Sequence, residues 1–321
     1  MDKTRISGHK SPELDLFLRE WENESDYITA HTSGSTGRPK EIKLRKSDMI
    51  ASAKSTCRYF DINSDSLLVN PLSIGYIAGK MMVVRAMVSG ARLINLKPAL
   101  SPLNNWETGE CIDLLPVVPS QIPGLLESGK HHKINNLIIG GASLQQSIEQ
   151  ELIERQINAF CTYGMTETCS HVALRRIGEQ LYHSMPGFDF ETDVRGCLVI
   201  KSKAFSFGQL VTNDIVELID SRSFRWLGRA DNVVNSGGIK IFPEQLEMKI
   251  ATIFNGREFY FASRESAAWG HELVLIIEGL DQIENLPKRL REFLDRYECP
   301  KEIIYKEHLD RTDSGKIKRN L

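Results

Sequence analysis

The sequence predicts an α/β fold: a large N-terminal α/β domain with a β-rich subdomain, followed by a small C-terminal α+β domain. Three observations lead there. Over residues 60–165 short apolar runs alternate with segments of helical spacing, as expected of strands returning through helices to a largely parallel sheet. From residue 170 to 228 the helical segments give way to short β-type runs separated by turns. After Asp231 a compact strand-and-helix pattern resumes, which puts the boundary at Arg229–Asp231 and the two domains at 1–230 and 231–321.

In chain order, Leu14, Phe17, Leu18 and Trp21 recur at helical spacing and predict an amphipathic helix over 12–22. Tyr27-Ile28-Thr29-Ala30 reads as a strand entering a hydroxyl-rich loop, and Ile42-Lys43-Leu44 as the strand leaving it. Residues 47–59 read as a helix with Ser47 as N-cap. Leu67–Val69 and Ala91–Ile94 are strands flanking a small-residue helix at about 75–89. Leu137–Ile139 is a buried-strand run, and Ser143 with Gln146 three residues on predicts a capping box. Asn158–Cys161 is the next strand; Val172–Leu174, Cys197–Ile200 and Ile215–Ile219 follow as β segments. Pro243 suits the first turn of a helix running from Glu244 to about Phe254. Leu273–Glu278, a helix from Gln282 to about Tyr297, and a strand at Ile303–Tyr305 complete the pattern.

With 321 residues the chain can bury a substantial core. Its 40 basic and 42 acidic residues give a formal net charge of -2, which argues against a nucleic-acid or membrane-surface protein. Six scattered cysteines, Cys57, Cys111, Cys161, Cys169, Cys197 and Cys299, form no C-x-x-C pair, so neither a zinc ribbon nor a redox motif is indicated. Reduced thiols in a cytoplasmic protein are the expectation. Met1–Arg5 is polar and unlike a signal peptide, and no apolar run approaches the ~18 residues of a membrane span.

Several short segments carry chemistry. Thr32-Ser33-Gly34-Ser35-Thr36-Gly37-Arg38-Pro39-Lys40 offers four hydroxyls, two glycines and a lysine. Glycines let backbone N–H groups approach an anion, and hydroxyls donate to phosphate oxygens. The spacing is not that of a Walker A loop. Gly140-Gly141-Ala142 stands at a strand end, where open α/β sheets bind ligands. Tyr163-Gly164-Met165-Thr166-Glu167, Thr212-Asn213-Asp214, Gly228-Arg229-Ala230-Asp231 and Ser236-Gly237-Gly238 follow in order. Near the chain end, Arg311-Thr312-Asp313-Ser314-Gly315-Lys316-Ile317-Lys318-Arg319 is a tight turn presenting one lysine.

This ordered set resembles the adenylate-forming superfamily of acyl- and aryl-CoA ligases, over roughly residues 27–321. The resemblance implies ATP, Mg²⁺ and coenzyme A as partners, together with a small carboxylic acid. It also implies that the C-terminal domain is mobile. Thr32, Ser33, Gly34, Ser35, Thr36, Gly37 and Lys40 match the family's phosphate loop, with Glu41 where the family usually has glycine. By the same resemblance, Gly140, Gly141 and Ala142 pack against adenine and Tyr163 stacks on it within the Tyr163-Gly164 segment. Thr166 contacts the α-phosphate, Glu167 holds Mg²⁺, and Asp214 and Arg229 contact ribose. Asn213 departs from the family's glycine. Asp231 resembles the hinge residue, Ser236, Gly237 and Gly238 the lining of the CoA channel, and Lys316 the catalytic lysine. A lysine ammonium bridging the attacking carboxylate and the α-phosphate offsets charge in the transition state.

Asn70 through Arg85 is similar to the acyl-pocket region of o-succinylbenzoate–CoA ligases, with Ser73-Ile74 where that group often places an aromatic residue and a histidine. Such an acid has a second carboxylate, so its pocket needs a cation. Arg85 and Lys80 are the two candidates. At helical geometry they lie ~140° apart and do not share a face. The expected reaction is ATP-dependent formation of an acyl-adenylate and then an acyl-CoA thioester. Another aryl- or acyl-CoA ligase and a non-catalytic nucleotide-binding homologue are the alternatives. The region ahead of the phosphate loop is short for the superfamily. That fits either a compact member or a chain completed by others, and an open sheet edge suits a homodimer.

Overall fold

The structure, a computed structural model, describes residues 5–31, 41–254, 256–267, 269–311 and 317–321. Thr32, Ser33, Gly34, Ser35, Thr36, Gly37 and Lys40 of the hydroxyl-rich loop, and Lys316, lie outside the described residues.

The first part of the chain forms β1 (Ile6–Gly8), α1 (Pro12–Glu22), β2 (Tyr27–His31), β3 (Glu41–Arg45), α2 (Lys46–Tyr59), β4 (Leu67–Asn70), α3 (Ile77–Ser89) and β5 (Arg92–Asn95). Then come β6 (Leu115–Val117), α4 (Ile122–Glu127), β7 (Leu137–Ile139), α5 (Gln146–Glu154) and β8 (Ala159–Gly164). Helix α1 starts as its sequence requires: Ser11 caps it by accepting from Leu14 N–H at 3.2 Å, and Pro12 fills a first-turn position. It buries Leu14 and Phe17. Helix α3 is apolar almost all round and correspondingly buried from Met81 to Met87. It stops at Gly90, whose φ of 74° gives the left-handed C-cap and whose N–H reaches Ala86 O.

Among the described residues β1, β5 and β4 form a parallel sheet in that order, and β2 pairs antiparallel with β3. One parallel bridge, Leu68 to Leu114, links the first sheet to β6, from which β6, β7 and β8 continue in parallel. The expected parallel sheet therefore exists, but it reverses at β8. There the chain enters β9 (His171–Arg176) through the short turn 165–170. A parallel return needs a crossover of a dozen residues or more, and this turn allows only an antiparallel neighbour. The β-rich region follows with β10 (Tyr182–Ser184), β11 (Asp189–Thr192), β12 (Cys197–Lys201), β13 (Gln209–Asp220) and β14 (Ser223–Arg229). These strands extend the same sheet in the order β11-β12-β13-β14-β10-β9-β8-β7-β6.

From Val234 the chain builds a separate sheet with its own apolar cluster, which includes Leu246, Phe261, Leu275 and Leu290. Its elements are β15 (Val234–Ser236), β16 (Ile239–Ile241), α6 (Pro243–Ile250), β17 (Phe259–Ser266), β18 (Gly270–Glu278), α7 (Leu286–Phe293) and β19 (Glu302–Lys306). Helix α6 docks on the end of β14: Gln245 Nε2 donates to Trp226 O at 3.1 Å and Leu227 O at 2.9 Å. Gly228 faces the Glu244 carboxylate of this helix; a Cβ there would stand 2.5 Å from Glu244 Oε2, so that side chain would have to shift.

Four helices differ from expectation at a boundary. Ser47 is not the N-cap of α2; β3 runs directly into the helix, Arg45 is the cap, and Lys46 N–H is satisfied by Asp26 O at 2.8 Å. Ser143 does not cap α5, because the chain stays irregular past Gly141 and the helix begins only after Gln145. Helix α7 is far shorter than 282–297. Asn285 enters it in the left-handed region at φ 52°, and Leu294 leaves it extended. The helix expected over 244–254 is helical only to Ile250 and finishes as a 3₁₀ turn. No described helix is long and apolar enough to cross a membrane.

Candidate functional site

Parallel strands end together, so the turns after β7 and β8 share one edge of the sheet. Gly140 continues the ladder by donating to Val117 O at 3.1 Å. Its missing side chain is a requirement: a Cβ would lie 2.4 Å from Thr162 Oγ1, which itself donates to Ile139 O. Gly141 then turns at φ 88°, before Ala142.

Tyr163, near the end of β8, is held before any ligand arrives. Its hydroxyl donates to Asp214 Oδ2 at 2.8 Å, and its ring meets Phe224 edge-on at 5.1 Å and Tyr182 at 5.8 Å. Burial first, and the Asp214 carboxylate second, pushes its phenol well above the usual range, so it remains a donor. Asp214 is buried on β13; Trp226 Nε1 donates to its other oxygen at 3.2 Å, and its own N–H is taken by Thr212 Oγ1. Each carboxylate oxygen keeps a further lone pair for a ligand hydroxyl. Arg229 stands opposite Asp214 in the β13–β14 register, 3.9 Å from Oδ1, and its Nη2 donates to Asp231 at 3.0 Å. Tyr163, Asp214, Arg229 and Asp231 thus form one connected polar row.

Thr166 and Glu167 lie in a 3₁₀ turn directly after β8. The Glu167 side chain is exposed and makes no hydrogen bond among the described residues. A single free carboxylate suits Mg²⁺, which dehydrates reluctantly and is usually shared with phosphate oxygens and waters. No group of three or more His, Cys, Asp or Glu side chains among the described residues forms a metal cage.

The two cations of α3 face different neighbours, as their spacing requires. Lys80 Nζ donates to Thr29 O at 3.0 Å, stands 4.0 Å from Glu20 Oε2 and lies over the Phe17 ring. Burial lowers its pKa. Arg85 is 2% exposed and its partners among the described residues are neutral: Nη2 donates to Ser170 Oγ at 2.6 Å and Nη1 approaches Met82 Sδ at 3.4 Å. Its Nε is buried without a partner, and no carboxylate pairs with it among the described residues. Burial draws its pKa down to about 10, which still leaves it charged at neutral pH.

Gly237 and Gly238, both at positive φ, form the two-residue turn between β15, which ends at Ser236, and β16. Gly237 N–H donates to Trp269 O at 3.0 Å. The residues that bracket Lys316 are tied down: Arg311 and Ile317 form an antiparallel bridge, Lys318 N–H reaches Asp310 O, and Arg319 makes a bidentate pair with Glu247 at 2.6 and 2.7 Å.

Trp226, Ser170 and Glu247 belong to this arrangement but were not singled out from the sequence. They act by tertiary contact, and nothing in their local spacing marks them.

The family model described as AMP-binding enzyme matches residues 8–195. The 2-succinylbenzoate–CoA ligase of Staphylococcus epidermidis is 25% identical over 353 residues, covering 99% of this chain and 72% of that one. A crystal structure from Dyadobacter fermentans, described as an acyl-CoA synthetase (AMP-forming)/AMP-acid ligase II-like protein, aligns with TM-score 0.65 at 33% identity. The alignment covers 97% of this chain and 93% of that one. The o-succinylbenzoate CoA synthetase of Bacillus subtilis, bound to its acyl-adenylate intermediate, aligns with TM-score 0.79 at 20% identity over 91% of this chain and 68% of that one. That last likeness bears on the fold alone.

Proposed function

Because the chain belongs to the AMP-binding enzyme family, we propose that it is an ATP-dependent acid–CoA ligase whose acid is o-succinylbenzoate. The observation that carries the choice of acid is Arg85, a buried guanidinium with no carboxylate partner among the described residues. A charge in that setting calls for an anion, and an acid with a second carboxylate supplies one. The names of the related 2-succinylbenzoate–CoA ligases support the same choice. Lys80 is the weaker candidate, since Thr29 and Glu20 already engage it.

In this reading the acid's reacting carboxylate attacks the α-phosphate of ATP, releasing pyrophosphate, and the thiol of coenzyme A then displaces AMP. Tyr163 presents its ring to adenine, with its hydroxyl tethered to Asp214. Asp214 and Arg229 receive the ribose, and Gly140, Gly141 and Ala142 leave room beside the base. Thr166 faces the α-phosphate. Mg²⁺, held by Glu167, would offset phosphate charge, and Lys316 with the loop Thr32–Lys40 would supply the remaining cation and donors. Residues 231–321 act as the moving domain about Asp231, and Ser236–Gly238 line the pantetheine path. Separate closed arrangements for the two half-reactions exclude water from each.

The experiment is pyrophosphate release and thioester formation with ATP, Mg²⁺ and CoA on o-succinylbenzoate, benzoate, acetate and a medium-chain fatty acid. Thioester from o-succinylbenzoate alone is expected. Preferred turnover of another acid sinks the acid assignment, and silence with every acid sinks the ligase.

Asp214→Asn is expected to weaken AMP binding by roughly tenfold or more, since hydrogen bonds to a charged group contribute about 1.5–3 kcal/mol. Calorimetric titration with AMP checks it, and unchanged affinity would remove Asp214 from the ribose site.

A further inference from the structure

The turn between β8 and β9 is held in a costly conformation. Cys169 adopts φ 62° and ψ −35°, and Ser170 N–H reaches back to Thr168 O at 2.7 Å. That is a γ-turn of the positive-φ kind, which a non-glycine residue adopts only when its surroundings enforce it. The turn also folds flush onto β8, where a Cβ on Gly164 would lie 2.3 Å from Ser170 O. Thr168 Oγ1 closes it from inside, accepting from Met165 N–H at 3.0 Å and approaching Ser170 O at 2.7 Å. Burial pushes the Cys169 thiol up to about 12, so it stays protonated at neutral pH.

Beneath the turn runs a chain of hydrogen bonds. Arg85 Nη2 donates to Ser170 Oγ at 2.6 Å, Ser170 Oγ meets His171 Nδ1 at 3.2 Å, and His171 Nε2 meets Thr56 Oγ1 at 3.2 Å. Thr56 Oγ1 in turn donates to Ser52 O at 3.2 Å. The directions follow from the two ends. Arg85 can only donate, and the single Thr56 hydroxyl proton goes to Ser52 O. Thr56 therefore accepts from His171 Nε2–H, leaving Nδ1 to accept the Ser170 hydroxyl proton. His171 is buried and neutral, because burial and then the Arg85 charge hold its pKa well below the usual range. The chain thus crosses from α3 through the turn to α2, and each hydroxyl proton is used once.

We propose that Ser170 is a positioning residue that locks the strained turn carrying Thr166 and Glu167, so that Glu167 is aimed at the metal of a Mg²⁺–nucleotide. This rests on the ligase reading for the role of Glu167, and not on the identity of the acid. Ser170 also ties the turn to Arg85 on α3, so the helix of the two candidate acid-reading cations and the turn of Glu167 meet at one hydroxyl.

The test titrates α,β-methylene-ATP with and without Mg²⁺, and AMP without metal, into the full chain and into Ser170→Ala and Ser170→Thr. Ser170→Ala is expected to lose about tenfold of the Mg²⁺-dependent gain in affinity while metal-free AMP binding stays within about twofold. Ser170→Thr, which keeps the hydroxyl, is expected to restore most of the gain. An unchanged Mg²⁺ gain in Ser170→Ala overturns the proposal. So does an equal loss for metal-free AMP, which would mark a merely structural role. If Ser170→Ala does not fold, Thr56→Val breaks the same chain at its far end and is read the same way. Failure of the ligase reading shows separately, as absence of pyrophosphate release by the unaltered protein with every acid, while the nucleotide titration still reports on Ser170.

Discussion

Lys316→Ala is expected to slow acyl-adenylate formation by about 10²–10³-fold, the scale of losing one preorganised group aimed at developing charge. Thioester formation from supplied acyl-AMP is expected to stay within a few-fold of the unaltered protein. The asymmetry follows from where charge builds up. In the first half-reaction a carboxylate approaches an already anionic phosphate, and an ammonium between them acts on both. In the second half the thiol attacks an activated carbonyl and the phosphate leaves as AMP, so the same cation has little to do. The chain on either side of the lysine segment is held by the Arg311–Ile317 bridge and by the Arg319–Glu247 pair, with Tyr260 donating to Asn320 O at 2.5 Å. Pyrophosphate release and single-turnover thioester formation measure the two halves. Equal loss in both would end the division of labour assigned to this lysine.

Arg85→Met is expected to move stability and activity in opposite directions. The guanidinium is buried beside Ser170 and Met82 with Nε unpaired among the described residues, so the folded protein bears the desolvation of a charge that no described carboxylate balances. Replacing such a charge by an apolar side chain of similar volume is neutral or stabilising by about 1–4 kcal/mol. The melting temperature is therefore expected to hold or rise. The loss falls on acids with a second carboxylate: truncating one partner of a buried charge pair costs about 2–5 kcal/mol, so kcat/KM for o-succinylbenzoate is expected to fall by roughly 10²-fold or more. Because Arg85 also supports Ser170, some activity should be lost for every acid. The informative quantity is the ratio of o-succinylbenzoate to benzoate turnover. A ratio unchanged by the substitution would show that another group reads the distal carboxylate.

Much of the architecture was legible where local pattern and tertiary demand agree. Helix α1 carries its cap, its proline and its apolar stripe within one short segment, and it forms over the residues that this pattern marks. The strands at Leu67, Leu137 and Ala159 are short apolar runs bounded by turn formers, and each is a strand. Helix ends were less legible. Ser47 and Ser143 both have cap chemistry, yet the chain direction on entering α2 and α5 placed the caps at Arg45 and Gln145. The switch from parallel to antiparallel pairing at β8 was also hidden, because strand direction depends on the partner and not on the strand's own residues.

The sequence by itself determined which chemical groups are present and in what order: the hydroxyl-rich segment, the glycine pair, Tyr163 to Glu167, Asp214, Arg229 to Asp231 and the segment around Lys316. Those signals survive in a linear reading because each is a short run whose backbone freedom, charge or hydroxyl content is written in its own residues. Only the tertiary structure decided that Tyr163 is tethered to Asp214, that Trp226 donates to the same carboxylate, and that Arg85 is buried against Ser170 with no carboxylate partner among the described residues. Those facts are distances between residues far apart in the chain. Burial and hydrogen-bond pairing, which set the charge state and aim of each group, are properties of the folded contacts and are absent from any single segment.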